Sequence, residues 1–349
     1  MKRALISAAF AVAAVALPAS AGAAPVVTHD AAESPESVLD YWTSARMEAA
    51  QPLDAPGDAP PAGAPPQATT ASQPPDAEID PARDIAYPER THGRIFFSLG
   101  GQNATCSGTV VTSRSRNLVL TAGHCVVQPG GEGVEPVWVS NLIFVPAYRD
   151  GLAPFGSYPA TTLRAPARWA REPLIELDIG AVSLAPGPGG SQIQDLLGSR
   201  GASFNRVLGS YRNKGVQIFG YPGEPAAFYN AERPILCNSR ILGLERGTGS
   251  LIAGPCNQKQ GSSGGGWVIG GGLVNSVVSH GPCPPATIQT CTQTAGTFFG
   301  NEAFKLYSAA GGGIAKGVKK KIKGCKRKDE KKRAQCIARA QTFQPVVLP

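Results

Sequence analysis

From Arg94 onward, short runs of β-branched and aromatic residues alternate with turn-forming residues: RIFFSLGG, CSGTVVTS, NLVLTAG, VWVSNLIFVPAY, DIGAVSL, GVQIFGYPG and ILCNSRILGL. Apolar runs of this length, punctuated by Gly, Pro, Asn and Ser, predict an all-β sandwich or barrel rather than a parallel sheet covered by helices. WVIGGGLVNSVVS sets two apolar runs around three glycines and reads as a β-hairpin. Helical patterning is confined to a weak stretch near the start, SPESVLDYWTSARMEAA, to NEAFKLYSAA, and to the basic end of the chain.

The ends differ from this body. Lys2 and Arg3 precede an apolar run from Ala4 to Leu17, and small residues follow in PASAGAAP. That pattern predicts a secretory signal over residues 1–24, cleaved near Ala19 to Ala21. The run is short of the roughly 20 residues a membrane span needs. Residues 25–91 include QPLDAPGDAPPAGAPPQATTASQPPDAEIDP, too rich in proline, alanine and acids to bury a core, and are expected to be a propeptide or a disordered linker. The folded unit is expected over 92–313 and a basic tail over 314–349.

Charge sharpens these boundaries. Of the formal net charge of +8, residues 25–92 carry 3 basic and 12 acidic side chains, and residues 314–349 carry 12 and 2. In the tail, Ile314, Val318 and Ile322 recur four apart, DEKKRAQCIARAQ suits a second short helix, and Cys325 and Cys336 are placed to staple the two. Such a block is either a solvated end or an anchor for anionic wall polymer or a membrane surface. Nothing marks a specific nucleic-acid site, and the chain is expected to be an exported, extracellular monomer. Its eight cysteines fit an oxidising compartment and fall into four neighbouring couples, although about 105 pairings are possible. No Cys-x-x-Cys or phosphate-cradling loop occurs, so neither metal nor cofactor is expected.

KQGSSGGGWVIGGG, residues 259–272, is either a flexible connection or a tight turn that presents a serine. A serine hydroxyl needs a base, and the chain has four histidines. His29 lies at the signal junction, His92 at the start of the folded region and His280 close behind Ser263. His124, in LVLTAGHCV, follows an apolar strand beside a cysteine, which suits either a structural or a catalytic histidine. Among the aspartates between His124 and Ser263, Asp178 in LIELDIGAVSL opens an apolar strand. It is either a turn residue or a buried carboxylate in need of a partner such as histidine.

CSGTVV, TAGHC, LDIGAVSL and GSSGGGW, in this order, resemble the trypsin-like (chymotrypsin-fold) serine proteases, nearest to the secreted bacterial glutamyl-endopeptidase-like branch. The resemblance covers roughly Arg94 to Tyr307. It implies two packed six-stranded antiparallel barrels with the active site in the cleft between them. It also implies a triad of His124, Asp178 and Ser263, an oxyanion hole from the N–H groups of Gly261 and Ser263, and protein or peptide substrates. A disulfide from Cys106 to Cys125 is implied as well. Neighbour spacing alone extends this to Cys237–Cys256, Cys283–Cys291 and Cys325–Cys336.

Two departures from the animal enzymes stand out. Ser262 occupies the position of the aspartate that receives a new N-terminus on activation. Asn257, expected at the base of the specificity pocket, offers no anion to arginine or lysine, and His280 is the nearest candidate for a wall that prefers glutamate. Gly261–Gly265 also satisfies G-x-S-x-G, but an α/β-hydrolase needs an acid and then a histidine after the serine, and no acidic residue lies between Ser263 and His280. A non-catalytic binding protein on a protease scaffold, held to anionic surfaces by the tail, is the competing function.

Overall fold

The computed structural model describes residues 25–53, 76–210, 212–226, 228–270, 272–283 and 291–313. The signal-like segment, the basic tail and the Cys325–Cys336 couple lie outside the described residues. Six strands form the first barrel: β1 (His92–Leu99), β2 (Gln102–Val111), β3 (Leu118–Thr121), β4 (Ser140–Pro146), β5 (Tyr158–Pro166) and β6 (Gly180–Leu184). Six more form the second: β7 (Gly215–Gly220), β8 (Ile235–Leu244), β9 (Leu251–Gly254), β10 (Gly266–Ile269), β11 (Leu273–His280) and β12 (Thr294–Gly296). Every pairing within the two rings is antiparallel, and both barrels close in the order first, second, third, sixth, fifth, fourth. The hairpin expected in WVIGGGLVNSVVS is the β10–β11 pair.

Period-two alternation sorts the strand residues between cores. In β1, Ile95 and Phe97 fill the first barrel, while Phe96 points outward into a separate apolar cluster. In β4, Phe144 goes inward, and Ile143 and Val145 join Phe96 outside. Ile218, Ile241, Leu251 and Trp267 fill the second barrel. Leu118, Leu120, Ile179, Phe219 and Val268 meet between the barrels, joined by Leu306 and Tyr307 of the helix Asn301–Ala309. The helix matches the NEAFKLYSAA pattern.

The outer faces of β1 and β4 are apolar because the chain that precedes the barrels covers them. Of residues 25–91, expected as a propeptide or disordered linker, the described stretches 25–53 and 76–91 fold onto the barrels. Val26–Asp30 pairs antiparallel with β5, Gln51–Pro52 pairs parallel with β2, and Ala77–Glu78 pairs antiparallel with β8. Two short helices, Pro35–Tyr41 and Ser44–Ala49, are capped by the side chains of Ser34 and Thr43, which accept backbone N–H bonds. They place Val38, Trp42 and Ala50 on the outward Phe96, Ile143 and Val145. Three disulfides, Cys106–Cys125, Cys237–Cys256 and Cys283–Cys291, join neighbouring cysteines.

Candidate active site

β3 ends at Thr121, and the chain turns through Ala122 and Gly123 to His124, which the adjacent Cys106–Cys125 disulfide ties back to β2. Gly123 permits this turn to pack on Trp169, since a methyl group there would lie 2.7 Å from the indole nitrogen. Asp178 follows a single 3-10 turn, Ile175–Leu177, and is separated from the start of β6 by Ile179. Both side chains are fully buried. Asp178 Oδ2 lies 2.9 Å from His124 Nδ1, and Oδ1 accepts the His124 backbone N–H at 2.8 Å.

Other elements support the carboxylate. Ser279 Oγ, from β11, donates to Asp178 Oδ2 at 2.6 Å, and Thr297 Oγ1 donates to the Asp178 carbonyl at 2.5 Å. Burial alone would raise the Asp178 pKa, but the facing His124 and these hydrogen bonds together hold it below the usual carboxylate value. An ionised Asp178 can only accept, so His124 carries a proton on Nδ1 and turns Nε2 away from the carboxylate. Nε2 is buried and meets no hydrogen-bond partner among the described residues, Ser263 included. Catalytic hydrogen bonds often form only once substrate is bound.

Ser263 is buried in the turn that leads into β10. Its carbonyl accepts the Ser107 N–H at 2.7 Å and lies 3.8 Å from Cys125 Sγ, which fixes the turn against the His124 loop. Ser107 Oγ donates to the Gly261 carbonyl at 2.8 Å and accepts the Tyr221 N–H at 2.9 Å. Gly261 has φ +88°, and a methyl group on it would sit 2.5 Å from the Tyr221 carbonyl. Among the described residues, neither the Gly261 nor the Ser263 N–H donates to a backbone carbonyl. The arrangement therefore has two N–H groups without a backbone acceptor beside a serine, near an imidazole whose Nε2 has no partner among the described residues.

No protein-family model and no curated protein matches the chain. Solved structures do. The protease Anisep from Arthrobacter nicotinovorans is 33% identical, and the match covers 64% of this chain and 95% of that one with a TM-score of 0.55. The thermostable serine protease AL20, from an extremophilic microorganism, is 30% identical over 64% of this chain and 97% of that one, also with a TM-score of 0.55. The chain belongs to the trypsin-like serine proteases. A Glu endopeptidase shares the fold at 17% identity, covering 69% of this chain and 99% of that one with a TM-score of 0.52.

Asn257 and His280, the residues expected to line a specificity pocket, both face carboxylates of the chain itself. Asn257 is buried, and its N–H donates to the carboxylate of Asp76 at 2.9 Å. Asp76 lies upstream of the barrels and also accepts from Tyr229 OH at 3.0 Å. His280 ends β11 beside Ser279, and its Nε2 is 2.9 Å from Glu245 Oε2. The ring is thus already engaged by a carboxylate of the chain itself. Sequence reasoning missed Ser107, Ser279, Thr297, Glu245 and Asp76, all of which reach the site region through tertiary pairing. Among the described residues, two clusters with metal-like spacing, Cys106–His124–Cys125 and Asp76–Cys237–Cys256, are built on disulfide-bonded cysteines, which offer no thiolate.

Burial pushes the carboxyl groups of Asp76 and Asp84 up to about 6, against the lowering effects of Tyr229 on Asp76 and of Arg149 on Asp84. A raised folded-state value means that the folded protein holds these protons more tightly than the unfolded chain, whose carboxyls titrate near 3.9. Their stabilisation is complete below about pH 4 and is lost as pH rises through about 6. Buried His92, held well below its ordinary value, acts in the opposite sense in wild type and variant alike. The double variant Asp76→Asn, Asp84→Asn is expected to gain stability relative to wild type as pH rises from 4 to 7. Denaturant unfolding at several pH values checks this, and parallel profiles would refute it.

Proposed function

We propose that the protein is a secreted serine endopeptidase that cleaves peptide bonds through an acyl-enzyme. Ser263 Oγ attacks the scissile carbonyl while His124 Nε2 takes its proton. Asp178 keeps His124 in the Nδ1–H form and stabilises the imidazolium that results. The N–H groups of Gly261 and Ser263 receive the developing oxyanion, where loss of one such donor typically costs about 100- to 1,000-fold in rate. His124 then protonates the leaving amine, and water, deprotonated by the same imidazole, releases the acyl group. Protein or peptide chains are the substrates, and the chemistry needs no cofactor. The observation that carries this reading is the buried, ionised Asp178, which fixes His124 with Nε2 free beside the turn that holds Ser263.

A fluorophosphonate, which reacts quickly only with an activated serine, tests it. Wild type is expected to be labelled and Ser263→Ala to be neither labelled nor active. Unlabelled wild type would favour the binding-protein alternative. Export rests on the signal-like residues 1–24 and on the disulfides. The tail, with 12 basic side chains, is read as an anchor to anionic wall polymer or a membrane surface. Chain ending at residue 313 should lose low-salt binding to anionic vesicles and keep its activity on small substrates, and unchanged binding would reduce the tail to a solvated end.

A further inference from the structure

Upstream of the barrels, the segment 25–53 runs against the candidate site. In β2, Thr109–Val111 pair with β3, but Ala104 and Thr105 lie beyond the end of β3. That edge is taken by the chain's own Gln51 and Pro52, which pair with Ala104 and Thr105 in parallel, and the Leu53 N–H donates to the Thr105 carbonyl at 3.1 Å. Pro52 abuts the turn that carries Ser263. A methyl group on Gly261 would lie 3.3 Å from Pro52 Cβ, and one on Gly223 would lie 2.3 Å from Pro52 Cγ.

What holds Gln51–Leu53 there is the rest of the segment. Trp42 Nε1 donates to the Asn141 carbonyl at 2.6 Å, and Tyr41 OH donates to Asn103 Oδ1 at 2.8 Å. Val38, Trp42 and Ala50 are nearly fully buried in one cluster with Phe96, Tyr148 and Tyr221. Tyr221 belongs to both worlds: its ring packs in this cluster, and its N–H bonds to the Ser107 hydroxyl that holds the Gly261 carbonyl.

An extended polypeptide laid across Ser263 and Gly261 would pair with an exposed strand edge, the usual way a sheet takes a peptide. The edge beside Gly261 is already filled. We propose that Gln51–Leu53 is a built-in strap over the peptide cleft, so that Ser263 of the intact chain reacts with small reagents but polypeptides are excluded until the strap lifts. This rests on the protease reading above. A tether gives an effective concentration in the millimolar range, so a polypeptide of equal affinity for the edge, present at tens of micromolar, is outcompeted by about 10- to 100-fold.

The test compares two reactions of the full chain: fluorophosphonate labelling, which needs no extended edge, and hydrolysis of unfolded casein, which does. Ala50→Glu puts a charge into the buried anchor and should lift the segment. Pro52→Glu puts one against Gly223 and Gly261 from a partly exposed position and leaves the anchor cluster untouched. Both variants are expected to be labelled at the wild-type rate and to raise kcat/KM on casein about tenfold or more. Casein turnover that stays at wild-type level in variants labelled normally would overturn the strap while leaving the protease reading intact. Failure of the wild type and both variants to be labelled would overturn the protease reading, and the strap with it.

Discussion

Asp178→Asn is expected to lower kcat about 10,000-fold, the scale on which loss of the orienting carboxylate in such a triad acts. The wild-type carboxylate accepts His124 Nδ1–H at 2.9 Å on one oxygen and the His124 backbone N–H at 2.8 Å on the other. An amide of the same shape turns a donor toward one of these groups. If it faces the ring, its N–H2 pairs with an unprotonated Nδ1, which moves the ring proton to Nε2 and removes the base from Ser263. Ser279 Oγ, 2.6 Å from Oδ2, must then compete for a single carbonyl oxygen. Small-ester kinetics should show the loss in kcat with KM little changed, because no substrate contact is removed. Fluorophosphonate labelling should slow by a comparable factor. Activity within tenfold of wild type in folded Asp178→Asn would mean that Asp178 does not orient the base.

Much of the barrel pair was legible because its strands carry their pattern locally. DIGAVSL, GVQIFGYPG and WVIGGGLVNSVVS all became strands or hairpins of the rings. The pairing of His124 with Asp178 was legible only through the order of four motifs, the same order that singled out Ser263. What a linear reading could not show is which face of a strand meets what. IFF (95–97) and LIFV (142–145) are continuous apolar runs, a sign that both faces are buried. The outer cover, Val38, Trp42 and Ala50, comes from a region whose overall composition is dominated by its Pro- and Ala-rich part. Ser279 and Thr297 reach Asp178 only because β11 and β12 are brought behind it by closure of the second barrel. Likewise, nothing along the chain pairs His280 with Glu245, and their contact alters the role that His280 alone would suggest.

Gly265→Ala is expected to cost at least about 3 kcal/mol, on the scale of severe overpacking in a core. Gly265 follows the serine turn directly, and a methyl group on it would lie 1.8 Å from the Phe219 carbonyl and 2.9 Å from the Ser262 carbonyl. Both contacts are with backbone, which cannot swing aside as a side chain would. The Gly265 N–H also donates to the Ser262 carbonyl, and its own carbonyl accepts the Val278 N–H at 2.8 Å, so relief would have to break pairing around the site. For a folded unit of this size, such a loss should lower Tm by roughly 6–12 °C. Gly215 is the control: a methyl group there meets nothing within 4 Å, and φ is not in the left-handed region. Gly215→Ala should therefore stay within about 0.5 kcal/mol of wild type, as surface changes usually do. Equal melting of the two variants would show that the close approach at Gly265 is not what demands glycine behind the nucleophile.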